Sequence, residues 1–408
     1  MMVNLRQACI FTLVAVCSAS PGGCVARGTP RANRTPAAWR LRDLFHAAGR
    51  ISKVDRARAC QDALAVLRQA AEDRSPAIRV HVMEALPLAL GRDGGAMCKQ
   101  ALSDPSAEVR FAAAMATGDL RYEPAREKLL RLAKYKVEGA ERDARTYCAV
   151  IYALHRLGDD SHTGELGKLL FDRRQNVRAS AAVILGKMRE PSATVPLNEA
   201  LAQELDHGMR LELTRSLARC GDRRALRLLE AYTKAQFVDE RALAIQAMAE
   251  LKSPMGARVF LQVLRGDESP RVRVTAAGAL ARIGAEKSAG FRYCAQAALR
   301  PRETMRRALG GRREATDQET ASLQRLAATA LGWSSRDEAI DVLAAIMASD
   351  DGGVRVAAAA AILQAMPQYR RGLRPLRDGK TRKEQPKPGP EARVRPKGPK
   401  LHSAGAKD

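Results

Sequence analysis

The feature that most constrains this chain is an arginine that returns at nearly constant intervals. Arg79, Arg110, Arg145, Arg178, Arg210, Arg241 and Arg273 are separated by 31, 35, 33, 32, 31 and 32 residues. A period of that length fits one two-helix hairpin per repeat. Seven residues beyond most of these arginines stands a large apolar residue: Leu86, Tyr152, Leu185, Leu217, Met248 and Leu280. Seven positions are about two helical turns, so each pair lies near one face. The second unit has Thr117 there instead. Two further units follow, one with Gln324 and Leu331 and one with Arg355 and Ile362. The interval from Arg273 to Gln324 is 51, so one repeat carries an insertion.

Residues 267–284, DESPRVRVTAAGALARIG, show how a unit is written. Polar turn formers and a proline come first. Val272, Val274, Ala277, Leu280, Ala281 and Ile283 then form an apolar stripe at helical spacing. Proline suits the start of a helix because its missing N–H has no intrahelical use there, and Pro76 and Pro105 repeat the punctuation. Pro87, inside its unit, is expected to kink or interrupt its helix. Partner helices are expected at 124–132, 196–205 and 254–264, the last two with broad apolar sets. Alanine-rich helices could form a non-repetitive bundle. Evenly spaced arginines with a recurring apolar partner are harder to obtain from composition alone.

These units resemble the HEAT-like repeat family in its short bacterial form. The matching residues are Val177, Arg178, Ala181, Ala182, Leu185 and Gly186; Val272, Arg273, Ala276, Ala277, Leu280 and Gly284; and Val354, Arg355, Ala358, Ala359 and Ile362. The resemblance covers most of the chain, from about residue 75 to 370. It implies an all-α fold, an alpha-alpha superhelix of about eight to nine two-helix repeats. For function it implies only a binding or scaffolding surface, because one repeat fold serves many tasks. A lone hairpin cannot bury its apolar face, so the units are expected to stack into one elongated body. Residues 39–74 read as capping helices for its exposed end, with Trp39 as a packing residue. The repeat arginines, Arg79, Arg110, Arg145, Arg178, Arg210, Arg241, Arg273 and Arg355, read as a structural ladder.

Charge is concentrated at the ends. Of the net +24, residues 1–38 carry +4 and residues 370–408 carry +9. Such a field attracts nucleic acid, anionic lipid or acidic surface polymer without a specific pocket. Six prolines and five glycines break up residues 370–408, which read as a disordered basic tail. Within the 51-residue interval, 301–319 reads as a basic insertion with a flexible Gly310–Gly311 turn. Its arginines, Arg302, Arg306, Arg307, Arg312 and Arg313, are candidates for an anionic contact.

The first 24 residues hold Arg6 and an apolar run over 8–19, too short to span a membrane but suited to an export signal. Pro21–Gly22–Gly23–Cys24 is similar to the approach to the lipidated cysteine of bacterial lipoproteins, although Pro21 departs from that motif. Lipidation at Cys24, secretion after a cut near Ala19 and no processing all stay open. A lipid there would anchor the chain rather than make it span. Residues 25–38 read as a basic linker.

No sequence motif for catalysis or metal binding is visible: no phosphate-binding loop, dinucleotide fingerprint, HExxH or nucleophile elbow. Five cysteines are scattered through the repeat body without a CxxC. His155, Asp159, Asp160 and His162 read as a polar turn. Some HEAT-like proteins are nucleic-acid glycosylases or resemble bilin-attaching enzymes, but no residue set here supports carrying either activity across. The chain therefore reads as a non-enzymatic, monomeric, exported or envelope-associated scaffold without cofactor or metal. Its expected partner is a protein of the cell envelope, and a non-specific nucleic-acid-binding module is the alternative.

Overall fold

The computed structural model describes residues 54–134, 143–253, 255–310 and 313–370. The chain divides into units Met1–Leu376 and Arg377–Asp408, and only the first contains described residues. Cys24 and its leader, the linker, Trp39, Arg312 and the tail beyond residue 370 lie outside them.

The described residues contain helices and no strand, arranged as nine hairpins. The first four are α1 (Arg56–Ala71) with α2 (Pro76–Ala89), α3 (Gly95–Ala101) with α4 (Ala107–Leu120), α5 (Arg126–Lys134) with α6 (Ala144–Arg156), and α7 (Gly164–Leu169) with α8 (Gln175–Met188). The next three are α9 (Thr194–Gln203) with α10 (His207–Arg219), α11 (Arg223–Tyr232) with α12 (Val238–Glu250), and α13 (Gly256–Gly266) with α14 (Pro270–Arg282). In the eighth, α15 (Ser288–Leu299) and the extra helix α16 (Pro301–Ala308) precede α17 (Asp317–Leu331). The ninth is α18 (Glu338–Ile346) with α19 (Gly352–Ala365). This is a HEAT-like alpha-alpha solenoid.

The second helix of each hairpin carries the repeated residue, and these nine form the inner layer. Each packs against the next, from α2 to α19, and α19 then packs against α2. The first outer helix, α1, lies against both α19 and α2. The described part of this unit is therefore a closed ring and not the elongated stack expected. Nine units close when each turns by about 40°, a rotation set by how tightly inner helices approach relative to outer ones. Closure also changes the role of the N-terminal segment. No described end is left for α1 to cap, because its buried Ala59, Cys60, Ala63, Leu64 and Leu67 join the same core as Val354 and Ile362.

Small residues set the inner approach. A Cβ on Gly186 would lie 2.7 Å from the Ser216 backbone, and one on Gly332 would lie 2.9 Å from the Ala361 Cβ. Runs such as Ala112–Ala113–Ala114 and Ala357–Ala358–Ala359 are buried for the same reason. The closing seam adds polar contacts. Arg56 donates to the Asp341 carboxylate at 2.8 Å and to the Asp337 carbonyl at 3.0 Å, while Val54 N–H donates to Asp341 at 3.2 Å.

Three local expectations are corrected. Pro87 does not interrupt α2, because it sits in the last turn and costs one hydrogen bond at most. Leu205, assigned to an apolar helix face, falls beyond the end of α9 and is 89% exposed. Part of the insertion expected to be irregular is helix α16, which begins at Pro301 and buries Thr304 and Met305.

Candidate functional site

The inner helices have two chemically different ends. At their N-terminal end stand the repeated arginines. Arg79, Arg110, Arg178, Arg210, Arg241 and Arg355 each donate through Nη1 to the carbonyl six residues earlier, in the turn of their own hairpin, at 2.8–3.0 Å. Several also reach the next unit: Arg79 to Asp104, Arg178 to Glu204 and Arg241 to Asp267. Asp104 and Glu204 join two units each, since their carboxylates accept from one rung and their carbonyls from the next, Arg110 and Arg210. Arg273 donates to the Leu264 carbonyl, and Gln324 to that of Ala298. Arg145 lies over the Phe111 ring at 5.2 Å.

Nine residues further along, a side chain is half a turn round the helix and about 13 Å closer to its other end. That column reads Leu88, Asp119, Leu154, Lys187, Arg219, Glu250, Arg282, Trp333 and Gln364. No one residue type runs through it. Its members meet across the inner face of the ring. Lys187 on α8 contacts the Asp119 carboxylate on α4 at 2.8 Å, passing over the intervening hairpin. The Tyr152 hydroxyl on α6 donates to the same carboxylate at 2.5 Å, and Lys187 Nζ stands 5.0 Å above the Tyr152 ring.

A second knot adjoins the first. Glu250 on α12 accepts from Arg219 at 2.6 and 2.8 Å and from Arg215 at 3.0 Å, both on α10. Glu212 is 3.7 Å from Arg215. The Arg215 and Arg219 side chains are only 2% and 1% exposed. Beside them Arg282 lies over the Trp333 ring at 5.0 Å. We call this end of the inner layer the inner mouth.

Burial and mutual charge shape these groups. Burial alone would raise Glu250, but the charges and hydrogen bonds of Arg219 and Arg215 outweigh it and hold the carboxyl at about 2. Glu212 goes the other way, raised by burial despite the same arginines. Arg219 is lowered by burial and then by Arg215 beside it. Tyr152 is pushed well above the usual phenol range, first by burial and then by Asp119, so it remains a hydrogen donor. The thiols of Cys98 and Cys148 are raised to about 12, mainly by burial, and stay protonated at neutral pH. Among the described residues no group of three or more His, Cys, Asp or Glu could hold a metal ion. No described helix is long and apolar enough to cross a membrane.

The insertion arginines do not gather. Arg302 pairs with Asp317, Arg307 with Glu303 and Arg313 with Glu319, while Arg306 is exposed on α16. His155 sits 2.5 Å from Asp160 in the turn after α6. Sequence reasoning missed the inner mouth because it followed the column that repeats. The signal was present nine residues downstream, as a column of unlike, mostly charged residues within alanine-rich helices.

The family model described as HEAT repeats matches residues 137–218 and 225–291. A curated protein, the bilin biosynthesis protein PecE of Mastigocladus laminosus, is 31% identical over 146 residues, 34% of this chain and 53% of that protein. The chain thus spans about half the length of the curated relative it matches. Among solved structures, the complex of CpcE and CpcF of phycocyanin lyase from Nostoc sp. is similar with 19% identity, covering 56% of this chain and 93% of that one at a TM-score of 0.32. Human deoxyhypusine hydroxylase in complex with glycerol follows with 16% identity, 76% and 97% coverage and a TM-score of 0.34.

Proposed function

We propose that this HEAT-like solenoid, a protein–protein interaction fold, is a non-enzymatic scaffold that holds a protein partner on the rim formed by its hairpin turns and works in the cell envelope. The observation that carries the reading is the distribution of exposed apolar side chains. Of eight large hydrophobics exposed among the described residues, six lie between Phe171 and Met255. Phe171, Leu205 and Phe237 occupy the turns before α8, α10 and α12, three hairpins in succession, at 44%, 89% and 59% exposure. Exposed aromatic and aliphatic side chains grouped on neighbouring units mark a docking surface.

The test is a comparison of the native chain with Phe171→Ser/Leu205→Ser/Phe237→Ser, each cross-linked in envelope fractions of the producing cell. Loss of one specific cross-linked protein in the triple variant, with an unchanged thermal midpoint, is the expected result. Identical cross-linking patterns overturn the docking surface. Location is tested separately by intact mass and fractionation of the chain made with its leader, against Cys24→Ser. An unprocessed chain in the soluble fraction overturns the envelope placement.

The second reading, a non-specific nucleic-acid module, rests on the +24 charge. The internal pairing of Arg302, Arg307 and Arg313 weakens it at the insertion and leaves the tail as its main support. Binding of this kind falls steeply with salt. An affinity for duplex or single-stranded DNA at low salt that vanishes on removal of residues 371–408 would favour it over the scaffold.

A further inference from the structure

On the outer helices α1, α5 and α7, exposed basic side chains pair with an acid three or four residues away: Arg58 with Asp62, Arg131 with Glu127 and Lys168 with Glu165. Opposite charges one helical turn apart leave little field at longer range. The outer helices α11 and α13 depart from this arrangement. Arg223, Arg224 and Arg227 on α11, Lys252 in the turn before α13, and Arg258 and Arg265 on α13 are all exposed, and none of them forms an ion pair with a described residue. The acids between residues 222 and 266 are Asp222, Glu230, Asp239, Glu240 and Glu250. Each is partly buried, and Asp222 is used in capping α11. The exposed charge of this stretch is therefore of one sign.

Exposure follows the helical period. On α11 the exposed residues Arg224, Arg227, Leu228 and Ala231 recur at three and four positions, turned away from buried Ala225 and Leu229. Met255 at the N-cap of α13 is followed at the same kind of spacing by Arg258, Gln262 and Arg265, turned away from buried Val259, Phe260 and Leu264. Each outward face thus sets one large apolar side chain, Leu228 or Met255, among arginines. Neither face has an exposed aromatic ring. The basic field stops at α9, where Asn198 and Glu199 are exposed instead.

A field of one sign attracts a polyanion. Leu228 and Met255 decide between a nucleic acid and a lipid surface. A phosphodiester backbone offers an apolar side chain nothing to enter, and single strands are held by aromatic stacking that these faces lack. An anionic bilayer meets both parts of the face, with phosphate headgroups for the guanidinium forks and an acyl boundary for the apolar side chains. Helices that lie in the plane of a bilayer surface mix basic and apolar residues in this way. Here both helices are already folded into the solenoid, so contact need not order them.

We propose that the outward faces of α11 and α13 form a membrane-surface contact, seated on anionic lipid headgroups through Arg224, Arg227 and Arg258, with Leu228 and Met255 entering the acyl boundary. The face shares no residue with the docking turns of Phe171, Leu205 and Phe237, and it requires no lipid on Cys24.

The full-length chain carrying Cys24→Ser is co-sedimented with vesicles of phosphatidylcholine alone and with vesicles of equal parts phosphatidylcholine and phosphatidylglycerol. Binding to the anionic vesicles only is expected. The basic tail is present in every variant, so differences report on the body of the chain. Arg224→Gln/Arg227→Gln/Arg258→Gln lowers the partition coefficient at least tenfold, since each basic group near such a surface contributes several-fold. A control of equal charge loss, Arg58→Gln/Arg131→Gln/Lys168→Gln, changes it less than threefold. Leu228→Ser/Met255→Ser lowers it threefold or more and leaves retention on duplex DNA unchanged. All eight side chains are exposed, and an unchanged thermal midpoint checks that each variant folds. Absence of binding to anionic vesicles, equal losses in the face variant and the control, or no effect of Leu228→Ser/Met255→Ser overturns the proposal. Loss of duplex DNA binding in the arginine variant with vesicle binding retained overturns it too, and identifies the face as a nucleic-acid surface.

Discussion

The two ends of the inner helices use the same residue types for opposite ends. At the ladder end an arginine recurs in eight of nine units and most rungs close within their own hairpin turn or onto the next. At the inner mouth no one residue type runs through the column, and side chains from neighbouring hairpins form one cluster. A repeated contact is a property of the unit and stabilises every junction alike. A set of unlike residues at equivalent positions is a property of the packed array and not of the single unit.

The comparison breaks most visibly at Glu250. Glu250→Gln removes the charge that compensates Arg215 and Arg219, and leaving a buried ion pair broken costs about 3–5 kcal/mol. Urea denaturation at neutral pH measures it, and a loss below about 1 kcal/mol would mean that the cluster is solvated. The same carboxyl sets an acid response. Its folded-state value of about 2 lies below the ordinary 4.5, so its contribution is fully present above pH 4.5 and is lost as pH falls toward 2. Stability of the native chain therefore falls over that window more steeply than that of Glu250→Gln.

The ladder gives a smaller and more uniform effect. Arg241→Ala removes a two-point contact to Asp267 and two carbonyl bonds, and about 1.5–3 kcal/mol is expected. Arg79→Ala and Arg178→Ala, which break equivalent rungs, should agree with it within about 1 kcal/mol. A wide spread among these three would show that the rungs are not interchangeable, and the contrast with the mouth would lose its sharpness. The seam gives the smallest effect. Arg56→Ala should cost about 1 kcal/mol and raise amide hydrogen exchange in α1 and α19 before other helices. Uniform exchange would show that the seam is no weaker than any other junction.

Local pattern decided a good part of this molecule. The spacing of the arginines and their apolar partners dictated helices, hairpins and the number of units, because helical periodicity acts over neighbouring residues. The turn arginines were legible too, although their bonds to specific carbonyls were not. The helix at Pro301–Ala308 and the exposure of Leu205 were missed, since an arginine-rich or apolar stretch does not itself reveal what covers it. Closure lay beyond sequence reasoning for a different reason. Arg56 and Asp341 meet across 285 positions only after small rotations accumulate over nine units, and no local signal carries their sum. The inner mouth depends on nearer partners, since Arg219 and Glu250 are 31 positions apart and Lys187 and Asp119 are 68. Asp119, Lys187, Arg219, Glu250 and Arg282 are legible one by one as charged residues near helix ends, and only the packing of neighbouring inner helices, by turning those ends toward each other, makes them one cluster.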